Sequence, residues 1–204
     1  MNQETKLAGE VFVKKQMLTL FGAVDETMLE YVSRAILDLT VKGSPPIHVI
    51  INSGGGEVRE GLQIYDQLQL YAGKKTAIVV NCAASMAAVI LQACDNRFAT
   101  RHSLILIHNI RKRVVLDDVR SKRKWSEVRS DMEKLQSLIY AVLMKRTGKT
   151  LPAIRKQCAK DKNLYAEEAK SFNLIDGIWE KALPENLPIK VPDKVPSTEA
   201  PTGS

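Results

Sequence analysis

The sequence predicts an α/β fold in which strands alternate with helices around a largely parallel sheet. Short segments rich in β-branched residues alternate with segments whose apolar residues recur at helical spacing. Such alternation forms right-handed βαβ units with helices on both faces of the sheet, and functional sites lie at the carboxyl ends of the strands. The chain has 204 residues, of which 45% are hydrophobic and 26% charged. This composition is typical of one globular domain, with or without a tail.

The first two strand and helix pairs are predicted in the N-terminal third of the chain. Residues 18–24 (LTLFGAV) predict a strand, and residues 47–51 (IHVII) predict a second, buried strand. Pro45 and Pro46 end the helix between them, because proline cannot donate to the helical hydrogen bonds. The apolar faces of the two helices comprise Met28, Val32, Ala35, Ile36 and Leu39 in the first, and Val58, Leu62, Tyr65 and Leu68 in the second.

The remaining predicted elements end with a long, charged helix and two short ones. In chain order they are a strand at 76–80 (TAIVV), an apolar helix at 86–93, a strand at 104–107 (LILI), the long helix at 117–145, and short helices at 150–158 and 166–171. Gly148 is expected to end the long helix. Its predicted apolar side comprises Trp125, Val128, Met132, Leu135, Leu138 and Ile139.

Composition also predicts where the domain begins and ends. Residues 1–17 form a short N-terminal segment, and residues 18–183 form the domain. Five of the eight prolines fall within 184–204, which contains no aromatic residue. Such a segment buries too little apolar surface to offset its ordering entropy, so we expect this tail to be disordered.

Charge and hydropathy favour a cytosolic protein without a membrane partner. No run of about 18 apolar residues exists to span a bilayer, and the N-terminus lacks the order of a secretory signal. The formal net charge is +7, and residues 111–129 hold eight basic and three acidic residues. That stretch has Trp125 as its one aromatic residue, so a solvated helix start is favoured over a nucleic-acid interface.

Cysteine usage argues against a disulfide framework and against a zinc site. Cys82, Cys94 and Cys158 are odd in number and have no C-x-x-C spacing. We expect reduced, buried thiols, and the sequence implies no metal and no organic cofactor.

Three features with catalytic potential follow predicted strands. The segment 52–56 (NSGGG) predicts a sharp turn with exposed amide groups, although it lacks the pattern of a P-loop or of a dinucleotide fold. Ser85 follows the strand at 76–80 and opens an apolar helix, so that its hydroxyl lies near the positive end of the helix dipole. His108 ends the strand at 104–107. Acyl transfer needs a nucleophile, a base and an oxyanion site together, and these features supply all three.

Each feature also has a structural explanation. A serine before a helix is most often an N-cap, which would explain Ser85 without chemistry. A histidine at a buried strand end is more often a core residue with its hydrogen bonds satisfied, and His48 and His102 need no special role.

The combined motifs resemble the ATP-dependent Clp protease proteolytic subunit family. They are INSGGGEVREGLQIYDQLQ (51–69), CAASMAAVILQA (82–93) and LILIH (104–108), and the resemblance extends from about Leu18 to Trp179. The family shows an I-N-S-P-G-G segment, an A-A-S-M-G/A nucleophile segment and a strand that ends in a histidine. DKNLYAEEAKSFNLID (161–176) resembles a further family segment.

The resemblance implies the ClpP/crotonase-type fold and a serine endopeptidase site. It implies a superhelix of repeated ββα units with a protruding handle at about 109–147. By motif, Ser85 is the nucleophile, His108 the general base and acid, and Asp161 the carboxylate that orients the imidazole. The backbone amides of Gly56 and Met86 form the implied oxyanion hole.

For the carboxylate, other residues compete with Asp161. They are Asp117, Asp118 and Asp176, and Asp161 itself has an alternative explanation as a solvated residue of the charged run KDK.

The resemblance also implies a homo-oligomeric ring, heptameric in the family, two of which stack into a tetradecamer. Polypeptides are the implied substrates, and ATP enters only through a AAA+ unfoldase partner. About seventeen residues precede LTLFG, fewer than the family's N-terminal loop and helix need, so we expect weak or absent unfoldase coupling.

Other differences from the family concern the turn and the handle. Gly54 replaces the family's proline, and Asn109-Ile110 followed by a basic run replaces Gln-Pro and a glycine-rich strand. Eight basic residues in the handle would repel their copies across a two-fold axis, which makes ring stacking less expected than the fold.

Two alternative functions remain open from the sequence. One is a crotonase-like acyl-CoA enzyme, in which glycine-turn amides also form an oxyanion hole. The other is a catalytically silent, oligomeric scaffold of the same fold.

Overall fold

The structure, a computed structural model, describes residues 16–111 and 122–183, without the side chains of 122–125. Within these residues, the strands are β1 (Met17–Val24), β2 (Ile47–Gly56), β3 (Lys75–Ala84), β4 (Asn96–Ala99), β5 (Leu104–Leu106), β6 (Leu164–Tyr165) and β7 (Gly177–Ile178). The helices are α1 (Glu26–Val41), α2 (Val58–Leu70), α3 (Met86–Leu91), α4 (Lys122–Thr147), α5 (Leu151–Lys160) and α6 (Ala166–Ser171). The predicted N-terminal segment up to residue 15, the tail from 184 and residues 112–121 lie outside the described part.

The sheet confirms the predicted α/β class. Strands β1, β2, β3, β4 and β7 lie side by side in that order, and all of these pairs are parallel. Strand β3 has two successive neighbours on the same side. Its residues 76–79 pair with β4, whereas its residues 82–84 pair with β5. The sheet therefore forks along β3, and β5 lies beside the end of β3 that precedes Ser85.

The predicted helical faces are each confirmed only in part. Met28, Val32, Ala35 and Leu39 of α1 are buried, as predicted, whereas Ile36 is only partly buried against the core. In α2 the buried residues are Gly61, Ile64, Tyr65 and Leu68. Leu62 packs only against the edge of the core, because the true face is centred on Ile64, which is fully buried.

The strands extend further than the hydrophobic pattern predicts. Strand β2 continues through the glycine segment to Gly56, and β3 continues to Ala84. The short strands β4, β6 and β7 have no counterpart in the sequence prediction, because two to four residues are too few to show a period.

The long helix α4 ends at Thr147, close to the predicted end at Gly148, whose φ of 69° suits the left-handed position after a helix. Its buried apolar residues, among the side chains described, are Ile139 and Leu143, whereas Leu138 is 53% exposed. The prediction was wrong for Leu138 and omitted Leu143. The predicted helices at 150–158 and 166–171 correspond to α5 and α6. Within the described residues, none of the helices has the length and hydrophobicity needed to cross a membrane.

Candidate active site

Ser85 lies at a sharp turn between β3 and α3. Its backbone has φ 55° and ψ −123°, a conformation that residues other than glycine rarely adopt. Its carbonyl oxygen accepts from the amides of Ala88 and Val89, which begins α3. The hydroxyl makes no capping hydrogen bond. The N-cap explanation therefore does not account for this serine, whose side chain is half-buried beside a pocket.

The fork in the sheet brings His108 to the same place. In the β3–β5 pair, Ala84 lies beside Leu106, and the Ser85 amide donates to the Leu106 carbonyl at 2.8 Å. His108 follows two residues later, just beyond the end of β5. Backbone hydrogen bonds of the sheet thus hold the serine turn beside the segment that ends in His108.

The imidazole of His108 has a definite tautomer. Its Nδ1 lies 2.7 Å from the carbonyl oxygen of Asn109. A carbonyl can only accept, so Nδ1 carries a proton in this contact, and in the neutral imidazole Nε2 then has the lone pair. This is the tautomer that lets Nε2 act as a base.

The glycine segment at the end of β2 packs directly on the serine turn. A Cβ added at Gly55 would lie 2.6 Å from both the Ala84 carbonyl oxygen and the Ser85 Cβ, and Gly55 has φ 89°. A Cβ added at Gly56 would overlap the Val24 carbonyl oxygen. Only glycine permits this approach.

Two hydrogen bonds hold the glycine segment in place. The buried hydroxyl of Ser53 accepts from the Gly55 amide at 3.1 Å. On the other side, the amide of Glu57 donates to the Val24 carbonyl at 2.7 Å. The segment is therefore fixed between β1 and the serine turn.

Four of the five predicted site residues line one cavity of about 60 Å³: Ser85, His108, Gly56 and Met86. Its other lining residues are Val58, Val89, Ile107, Ile110, Arg111, Ile139 and Leu143. The walls are therefore mostly apolar, with one cation. A serine, an imidazole and backbone amides around an apolar recess form an arrangement suited to acyl transfer.

The fifth predicted residue, Asp161, lies outside that lining. It caps the end of α5 with φ 50°, and its carboxylate accepts a hydrogen bond from the guanidinium of Arg111. Arg111 does line the cavity. The carboxylate is therefore next to the site but bound to Arg111, while the Nδ1 of His108 is bound to a carbonyl.

Asp176, a competitor for the carboxylate role, belongs to another part of the fold. Its Oδ2 accepts from the Arg97 amide at 2.7 Å, and its carboxylate pairs with the Arg97 guanidinium. Burial alone would raise the pKa of Asp176, but the hydrogen bonds and charge of Arg97 outweigh it and lower the pKa. Asp117 and Asp118, the other competitors, lie outside the described residues.

The cysteines do not compete with Ser85 as nucleophiles. Burial raises the pKa of Cys94 to about 12 and that of Cys158 to about 11. Burial also raises the pKa of Cys82, which is only half-buried, contrary to the prediction for all three. Thiols with such pKa values stay protonated at neutral pH. No group of three or more potential metal ligands occurs among residues 16–111 and 122–183.

Sequence reasoning missed three residues of the site. Gly55 approaches the serine turn more closely than Gly56 does, and the run of three glycines was the available signal. Ser53 belongs to the same motif, but its hydrogen bond to the turn has no sequence signature. Arg111 was counted within a solvated basic run, although it lines the cavity.

The chain is similar to known proteins over most of its length. The family model described as Clp protease matches residues 2–182, a longer match than the motifs alone indicate. The ATP-dependent Clp protease proteolytic subunit 1 of Chlamydia abortus is 34% identical over 150 residues, covering 70% of this chain and 73% of that protein. The protein of the same name from Protochlamydia amoebophila is 33% identical over 162 residues, covering 76% of each chain.

Proposed function

The chain belongs to the Clp protease family, and from this premise we propose that it is a serine endopeptidase. Its substrates are unfolded polypeptides, which it cleaves through an acyl-enzyme. One observation carries the proposal. Ser85 lines the same cavity as His108 and as Gly56 and Met86, whose amides would bind an oxyanion. The backbone of Ser85 is in a rarely populated conformation, which the surrounding packing must maintain.

In the proposed first step, the Ser85 Oγ attacks the scissile carbonyl and its proton passes to Nε2 of His108. The negative charge that forms on the carbonyl oxygen is stabilised by the amides of Gly56 and Met86. The protonated imidazole then gives its proton to the leaving amine, and the acyl group stays on Ser85. A water molecule, deprotonated by His108, hydrolyses this ester and restores the serine. Proton transfer by a positioned imidazole contributes about 10²–10⁴ in rate.

The apolar cavity next to Ser85 is suited to a substrate side chain without charge. Its walls come from α2, α3 and α4, through residues such as Val58, Val89 and Leu143. We propose that it accepts an apolar side chain adjoining the scissile bond.

The oligomeric chamber is part of the proposal. The names of both relatives describe a proteolytic subunit, which is a part of an assembly. Leu37, Val41 and Leu70 of the first two helices are at least 65% exposed, and large exposed apolar residues favour association. We propose a homo-oligomeric ring of seven copies. Light scattering or native mass measurement tests it, and a monomer at micromolar concentration would contradict it.

Coupling to an ATP-driven unfoldase stays a prediction. The relatives' names carry the words ATP-dependent, whereas the expectation from the sequence is weak or absent coupling. Degradation of a folded substrate, with and without ATP and the host's unfoldase, distinguishes the two. ATP-driven degradation would contradict weak coupling.

Covalent labelling by a fluorophosphonate tests the proposed chemistry. The Ser85 oxygen displaces fluoride from phosphorus, so intact mass should show one adduct per chain. The adduct should be absent from Ser85→Ala and present in Ser137→Ala, whose exposed serine bonds a helix carbonyl on α4. Oligomeric state is measured on the same samples. A fully assembled oligomer without an adduct would overturn the peptidase proposal and favour the silent scaffold.

A further inference from the structure

Asp161 lies close to the site, but its carboxylate forms an ion pair with Arg111 and not with His108. Strand β6 runs antiparallel to β5, with Leu104 beside Tyr165 and Ile105 beside Leu164. Counted on past the ends of both strands by three residues, this register sets residue 161 opposite residue 108. Asp161 and His108 therefore follow the same end of the β5–β6 pair, and the contact with Arg111 occupies the carboxylate there.

We propose that Arg111 is a positioning residue that holds the site in a resting state by withdrawing Asp161 from His108. The inference rests on the proposed peptidase function. In the resting state, Nδ1 of His108 donates to the neutral carbonyl of Asn109. A carbonyl stabilises an imidazolium less than a carboxylate does, so the proton transfer from Ser85 to His108 is less well supported in this state. The tautomer is already correct, so activation requires only an exchange of hydrogen-bond partners.

Because both side chains of the ion pair are partly exposed to water, Asp161 can exchange Arg111 for His108 at a small cost in free energy. The side chains of Arg111 and Asp161 are 68% and 39% exposed. Ion pairs exposed to this degree bias an equilibrium by a few-fold and weaken with added salt. The pair therefore acts as a reversible restraint and does not lock the site.

Arg111 also lies near other carboxylates that its guanidinium could contact. It lines a second groove of about 480 Å³, whose lining includes the carboxylates of Glu57, Glu60 and Asp131. When Asp161 turns towards His108, the guanidinium can pair with a carboxylate of this groove. In the proposed switch the guanidinium would therefore be paired in both arrangements, with Asp161 at rest and with a groove carboxylate after the exchange.

The rate of fluorophosphonate labelling on the full chain tests the restraint. Arg111→Gln should label about twofold to fivefold faster than wild type at low salt, the range expected for an exposed ion pair. Raising the salt from about 0.05 M to about 0.5 M should accelerate wild type towards the variant and leave the variant nearly unchanged. Arg111→Lys keeps the charge and should stay near the wild-type rate.

Two comparisons separate the restraint from other effects of the substitution. Arg34→Gln removes an exposed arginine that pairs with Glu30 on α1, and should label like wild type. In an Asp161→Asn background, Arg111→Gln should give no further rise, because the competed carboxylate is already absent. Thermal midpoints and native masses equal to wild type show that each variant is folded and assembled.

The outcomes are distinguishable. Equal rates for wild type and Arg111→Gln at both salt concentrations would overturn the restraint and leave the peptidase proposal standing. The same rise in the Asp161→Asn background would also overturn it, because Arg111 would then act directly at the cavity. No labelling of any assembled variant would overturn the peptidase function, and this inference with it.

Discussion

The two halves of the candidate site are built in different ways. The serine half belongs to the central sheet, where Ser85 donates its amide to β5 and Gly55 packs against the turn. The carboxylate half consists of Arg111 and Asp161, two exposed side chains joined by an ion pair at the edge of the domain. The first half depends on buried backbone geometry, and the second on groups that water and salt can reach.

This difference shows which part of the site tolerates change. Backbone in a close-packed interior cannot shift without disturbing its neighbours. A substitution therefore either leaves the conformation of the serine turn intact or disrupts it. An exposed ion pair is weak, and its partners can be exchanged at little cost. We therefore expect substitutions in the serine half to abolish labelling and substitutions in the carboxylate half to adjust its rate.

The largest expected effect comes from Gly55→Val. A Cβ at this position would lie 2.6 Å from the Ser85 Cβ and from backbone, at a φ that suits glycine. Displacing the turn misplaces both the nucleophile and the oxyanion amides, so fluorophosphonate labelling should fall by at least about a hundredfold.

Gly54→Ala is the matched control for that substitution. No atom lies within 4 Å of a Cβ placed at Gly54. Its labelling rate and unfolding midpoint should remain close to wild type. If both variants lost labelling to the same degree, the loss would not depend on the close contact between Gly55 and the serine turn. That result would contradict the proposed role of Gly55.

Ser53→Ala sharpens the comparison by removing one hydrogen bond and no backbone. Ser53 is 2% exposed and its hydroxyl accepts from the Gly55 amide. Leaving that amide without its partner should lower the free energy of unfolding by about 1–3 kcal/mol. Urea denaturation measures the loss. Unchanged stability would mean that water replaces the hydroxyl.

A smaller effect distinguishes two substitutions at the nucleophile itself. Neither Ser85→Ala nor Ser85→Gly can be labelled, but glycine adopts the φ of 55° without strain. Ser85→Gly should therefore unfold at a higher urea concentration than Ser85→Ala, by about 1 kcal/mol in free energy. An equal or lower stability of the glycine variant would show that the turn is not strained.

The smallest effect concerns Asp176, which lies outside both halves. Its pKa is lowered in the folded protein, so its contribution to stability is present above the unfolded pKa of about 3.9 and is lost as the pH falls through the folded value. Asp176→Asn should flatten the loss of stability below about pH 4. Its labelling rate at pH 7 should equal that of wild type. Slower labelling would show that the two regions are coupled.

The serine half could be predicted from the sequence because local patterns specify it. A β-branched strand, three glycines, and a serine before an apolar helix are visible within a few residues. The fold class followed from the alternation of strand and helix patterns along the chain. The ends of β2 and β3 were placed too early, because glycine and alanine have no hydrophobic period to mark a strand.

The carboxylate half could not be predicted in the same way. The ion pair joins Arg111 to a residue 50 positions later in the chain, and no periodicity records such a contact. Arg111 is one of many basic residues in its segment, so charge alone does not single it out. The resemblance to a family named Asp161, but it gave no indication that Arg111 would pair with that carboxylate.

The fork in β3 has a consequence for the order of folding. Strands β1, β2 and β3 are joined by single helices, and the contacts of the serine turn with Gly55 and Leu106 reach no further along the chain than β5. The part that carries Asp161 is anchored by later contacts, such as that of Arg97 with Asp176, 79 positions apart. Closing longer loops costs more entropy, and distant contacts form later. A chain still being synthesised should therefore possess a formed serine turn before its carboxylate arrives, so that the proposed hydrolysis would begin only once the domain is complete.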